Sequence, residues 1–96
     1  MSEKKSLEQL RKEILATDKE MAALFERRMH LVEGVIQRKI EKGLPILDKE
    51  REEQLLLASL THISDPSLKA YYELFQRNLM DLSKSYQRDL KKQTGR

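Results

Sequence analysis

Leu7, Leu10, Ile14, Met21, Leu24, Phe25, Leu31, Val32, Val35, Ile36 and Ile40 recur mainly at spacings of three and four, the period of one face of an α-helix. Ser6, with Gln9 three residues on, has the pattern of a capping box and sets the start of that helix. Gly43 can take the left-handed position that ends it, and Pro45 blocks continuation. The pattern therefore predicts one helix over Leu7–Lys42, about 54 Å long at 1.5 Å per residue. A compact domain of this chain length is only about 30 Å across, so one chain cannot cover the apolar stripe. A helical homodimer is expected.

After the connector Gly43-Leu44-Pro45-Ile46-Leu47, a second and shorter helix is predicted from 48 to about 62, with Asp48 as its cap and Leu55, Leu56 and Leu60 as its buried face. Ser64-Asp65-Pro66 interrupts it. Asp65 can cap a third helix with Pro66 in its first turn. That helix carries Leu68, Tyr71, Tyr72, Phe75, Leu79, Leu82, Tyr86 and Leu90, then gives way to a polar tail over 91–96. The expected fold class is all-α, a three-helix protomer (long, short, long) forming a single domain over 1–96, with its core over about 6–90 and polar tails at both ends.

Composition agrees with long solvated helices: of 96 residues, 36% are charged, 39% hydrophobic and 5% aromatic, with 3 Gly and 2 Pro. The net charge of +3 is modest, and the basic residues are interleaved with 16 acids. That balance suits a small anionic ligand better than a nucleic acid. With no cysteine, disulfides, thiolate metal sites and cysteine nucleophiles are excluded. No apolar run approaches a membrane span, and the polar start Met1-Ser2-Glu3-Lys4-Lys5 is no signal peptide. We expect a cytoplasmic protein without membrane contact.

Several polar residues stand where the helical pattern calls for apolar ones. Arg28 lies between Phe25 and Leu31 on the first stripe; Lys39 follows eleven residues later, about 20° around the helix and about 16 Å along it. Two such cations can converge on a small dianion. Taken singly, each reads first as a side chain with its stem on apolar neighbours and its head in water. Arg11 points about 100° away from Arg28 and lies about 25 Å from it, so it reaches a shared ligand only from a partner chain; alone it is a solvated first-turn arginine. Asp48, Arg51 and Glu52 share a face of the second helix, as local ion pairs commonly do. Ser83 and Gln87, four apart, fall beside the third apolar stripe, where neutral donors usually satisfy neighbouring polar groups. His30 and His62 have no acid or nucleophile at a telling spacing. No phosphate loop, metal-ligand cluster or nucleophilic triad is present in the pattern, so neither a metal nor a cofactor is expected.

Together these segments resemble a known family. Leu10-Arg11, Glu26-Arg27-Arg28, Lys39, Leu44-Pro45-Ile46-Leu47-Asp48-Lys49-Glu50-Arg51-Glu52 and Ser83-x-x-x-Gln87 look like the all-helical (AroQ-type) chorismate mutases. The resemblance spans about 6–90, and its most specific part is the Pro-x-x-Asp-x-x-Arg-Glu element. It implies an intertwined homodimer with two equivalent sites, and conversion of chorismate to prephenate toward phenylalanine and tyrosine. That reaction is a unimolecular Claisen rearrangement needing no nucleophile or cofactor.

By the same resemblance, Arg28 and a partner chain's Arg11 clamp the substrate carboxylates with help from Ser83, and Lys39 and Gln87 donate to the ether oxygen. Glu52 and Asp48 hold the ring hydroxyl, and Arg51 orders that carboxylate cluster. Two alternatives stay open at this level. One is an isochorismate pyruvate lyase on the same scaffold; the other is a non-enzymatic helical dimerisation module, with a basic nucleic-acid binder behind both. The chain is expected to be either a complete monofunctional enzyme or one domain of a larger protein.

Overall fold

The structure, a computed structural model, describes residues 4–94; the expected polar extremities at 1–3 and 95–96 lie outside them. The described residues form α1 (Leu7–Lys42), α2 (Lys49–Leu60), a 3₁₀ turn (Pro66–Leu68) and α3 (Lys69–Thr94), with no strand among them. The all-α, long-short-long expectation is met. No helix among them is long and apolar enough to cross a membrane.

The chain divides into two compact units, Met1–Leu31 and Val32–Arg96. The first holds the N-terminal part of α1. Its start is the capping box read from the sequence: Gln9 N–H donates to Ser6 Oγ at 3.1 Å, and Ser6 N–H donates to Gln9 Oε1 at 2.8 Å. Leu10, Ile14, Met21, Leu24 and Phe25 are all exposed, and among the described residues of this unit only Arg28 and Met29 are even half-buried. An apolar stripe of this length left open to water is the signature of a surface meant to be covered.

The second unit is built around the last turns of α1, α2 and α3. Its buried apolar side chains are Val32, Ile36, Leu56 and Met80. α1 ends in a Schellman motif: Gly43 has φ +66°, its N–H donates to Ile40 O at 3.2 Å, and Leu44 N–H donates to Lys39 O at 2.8 Å. Asp48 caps α2 by accepting from Arg51 N–H at 3.1 Å, and the last α2 turn tightens through Thr61, His62 and Ile63 N–H bonds to Ala58, Ser59 and Leu60 carbonyls. Asp65 caps the 3₁₀ turn by accepting from Ser67 N–H (3.0 Å) and Ser67 Oγ (2.7 Å), bonds that hold its carboxyl below the usual aspartate range. Helical structure therefore resumes at Pro66 as a tight turn, becomes α-helical at Lys69, and continues through Thr94 into the expected polar tail.

The rotation of α3 differs from the sequence reading. Its buried residues are Gln76, Met80, Ser83 and Gln87, at i, i+4, i+7 and i+11, whereas of the expected stripe Tyr72, Leu79, Tyr86 and Leu90 are half-buried and Tyr71, Phe75 and Leu82, with Leu68 in the preceding turn, are exposed. One chain thus buries a mostly polar stripe of α3 and leaves the apolar one only partly covered. Within this unit α2 packs closely on α3, and side chains tie the end of α1 to α3 through Lys39 with Gln87 and Glu33 with Tyr86.

Candidate active site

Lys39 is fixed at both ends by the connector that follows it. The Gly43 turn brings Leu44 back onto the Lys39 carbonyl, and the chain then carries Ile46 to the lysine head, where Lys39 Nζ donates to Ile46 O at 2.6 Å. A second Lys39 N–H donates to Gln87 Oε1 on α3 at 3.3 Å. An ammonium carries three donors, so one remains. Gln87 is buried, and with its oxygen taken by Lys39 its amide N–H₂ is the part left to donate. The pair presents two donors from two helices at one place.

A second bridge runs parallel to the first. Tyr86 OH donates to Glu33 Oε2 at 2.6 Å, tying α1 to α3 one residue before Gln87. The hydrogen bond to that carboxylate pushes the phenol pKa above its ordinary value, so the phenol stays neutral and donating. Ser83 is buried one helical turn before Gln87, and its Oγ donates to Leu79 O at 2.8 Å.

The acidic side of the site lies at the start of α2. Asp48 accepts at the cap and Glu52 follows within the first turns, where the helix dipole favours carboxylates. The Glu52 carboxylate is gripped by Lys84: Nζ lies 3.2 Å from Oε1 and 3.1 Å from Oε2. The hydrogen bond to Glu52 raises the Lys84 pKa, keeping the ammonium charged. Lys84 also lies 3.4 Å from Asp81 Oδ1, one turn back on α3.

Of the residues singled out from the sequence, Lys39 and Gln87 are in direct contact, and Asp48, Arg51, Glu52 and Ser83 belong to the same unit. Arg11 and Arg28 belong to the first unit. Arg11 is exposed and Arg28 half-buried. Arg51 is exposed; its backbone N–H meets Asp48, but its guanidinium makes no ion pair with Glu52. That contact is made by Lys84, which the sequence reading missed. Lys84 follows Ser83 and lies three residues before Gln87, so a basic residue between two donors was the only available signal.

Comparison with known proteins adds one positive finding. The family model described as chorismate mutase type II matches residues 10–88. No curated protein and no solved structure matches the chain.

Proposed function

Because the chain belongs to the chorismate mutase type II family, we propose that it isomerises chorismate to prephenate through the Lys39–Gln87 pair, within a homodimer whose sites are each completed by a partner chain's Arg11. The observation that carries this reading is the paired donor arrangement: Lys39 held by Ile46 O, Gln87 oriented by Lys39, with one N–H left on Lys39 and the amide N–H₂ left on Gln87. In the rearrangement the ether C–O bond breaks as the new C–C bond forms, and no proton leaves. Negative charge grows on the ether oxygen, so donors aimed there gain strength at the transition state.

The remaining roles follow the family resemblance. Arg28 and the partner's Arg11 bind the two carboxylates as planar, forked donors, assisted by Ser83. Glu52 accepts from the ring hydroxyl, held in place together with Asp48, and Arg51 orders these carboxylates. Confining the dianion to a compact chair supplies the rest of the acceleration. The uncovered stripe of α1 and the partly covered stripe of α3 support the dimer.

The primary test is loss of chorismate absorbance on mixing with the protein at neutral pH, with prephenate confirmed by acid conversion to phenylpyruvate. A folded dimer that leaves chorismate untouched and consumes isochorismate would replace the mutase by a lyase. Arg11 in trans makes a separate prediction. Arg11→Ala and Lys39→Ala homodimers should each be inactive, but co-refolding them should restore about a quarter of the wild-type sites, because half the dimers are mixed and each carries one intact site. If Arg11 acts within its own chain, the mixture stays inactive.

A further inference from the structure

The ion pairs of the second unit are not alike. Arg38–Glu41 and Arg77–Glu73 each lie along a single helix with about half or more of each side chain exposed. Lys84–Glu52 joins α3 to α2, and its side chains are only 19% and 25% exposed. A pair so withdrawn is less screened by salt than the others.

Its place gives it a consequence for the site. Lys84 falls on the side of α3 that carries Ser83 and Gln87, and its ammonium reaches both oxygens of Glu52. Glu52 is the carboxylate assigned to the ring hydroxyl, yet chorismate brings two carboxylates of its own. A bare carboxylate facing a dianion in a partly desolvated site opposes binding. Lys84 removes that charge. A carboxylate has about four lone-pair positions, so contact with one donor still leaves Glu52 able to accept from a hydroxyl.

Resting on the mutase reading above, we propose that Lys84 is a positioning and specificity-determining residue, which neutralises and orients Glu52 so that the site accepts a dianionic ring alcohol. Its contact is with Glu52 and not with the reacting bonds. Its loss should therefore appear in substrate binding and leave the chemical step largely intact.

The experiment compares chorismate kinetics and thermal melts of the full chain with Lys84→Met, Lys84→Arg, Glu52→Gln and the Lys84→Met/Glu52→Gln double variant, at low and high salt. Lys84→Met should raise KM about tenfold with kcat within about threefold, and high salt should shrink the penalty. Lys84→Arg should recover most of the loss. In the double variant, KM should return to within about threefold of Glu52→Gln alone, since no uncompensated charge remains.

An unchanged KM in Lys84→Met overturns the proposal, as does a KM penalty that Glu52→Gln does not relieve. So does a fall in melting temperature and kcat at constant KM, which marks a purely structural pair. If Lys84→Met does not fold, Lys84→Gln is read in the same way, and failure of both to fold is again the structural outcome. A wild-type protein without mutase activity would instead remove the reading on which the inference rests.

Discussion

Lys39→Ala is expected to lower kcat for chorismate by about 10³-fold while KM moves only a few-fold. The size follows from what the side chain does. One well-placed donor to a developing oxyanion contributes about 3–4 kcal/mol, and a charged donor belongs at the upper end. A 10⁶-fold acceleration needs roughly 8 kcal/mol, so Lys39 and Gln87 together supply much of it and conformational confinement the remainder. The substitution also releases Ile46 O and Gln87 Oε1 from their lysine partner, and the amide loses the contact that orients it. Lys39→Gln separates charge from donation, because it keeps an N–H without the positive charge. An intermediate kcat for Lys39→Gln supports an electrostatic role. Equal kcat for Lys39→Gln and Lys39→Ala would mean that charge is the whole effect, and a Lys39→Ala protein with wild-type kcat would remove Lys39 from the reaction.

The elements of the fold were legible because their signals are local. Ser6 with Gln9, Gly43 before Pro45, Asp48 and Asp65 each act within three residues of the backbone groups they satisfy, and each is found doing so. The rotation of α3 was not legible in the same way. Hydrophobic periodicity selects Leu68, Tyr71, Tyr72, Phe75, Leu79, Leu82, Tyr86 and Leu90, of which Tyr72, Leu79, Tyr86 and Leu90 are half-buried, yet the most buried stripe is Gln76, Met80, Ser83 and Gln87. A polar stripe turned inward violates the pattern rule, and such violations gather where a site is built. Ser83 and Gln87 gained their roles only through the family resemblance; their spacing alone reads as ordinary donors near a core. Lys84 escaped for a different reason. Its partner Glu52 is 32 residues away, and nothing in either local sequence identifies which of the nearby cations will meet that carboxylate. Arg51, adjacent in sequence, looked the better partner, but its side chain remains on the exposed side of α2.

Gln87→Glu should turn an enzyme active at neutral pH into one confined to acid. Gln87 donates through its amide at any ordinary pH, whereas a glutamate donates only when protonated. The introduced carboxyl would also stand where Gln87 Oε1 now accepts from Lys39 at 3.3 Å, and an adjacent ammonium favours the ionised carboxylate. The ionised form would take a Lys39 N–H as an ion pair and put negative charge beside the ether oxygen, opposing the charge that grows there. Both effects act in one direction. Starting from an ordinary glutamate pKa of about 4.3, the protonated fraction falls tenfold per pH unit, so the variant should lose about 10²- to 10³-fold in kcat/KM at neutral pH. The bound dianionic substrate pulls the other way by favouring the proton, which moves the midpoint upward in kcat but not in kcat/KM, a quantity that reports the free enzyme. The measurement is a profile of log kcat/KM against pH for wild type and variant. Wild type should be level through the neutral range, while the variant should recover toward acid with a limiting slope of about −1. A variant equally active at acid and alkaline pH would show that position 87 does not donate to the reacting oxygen, leaving Lys39 as the sole donor from this pair.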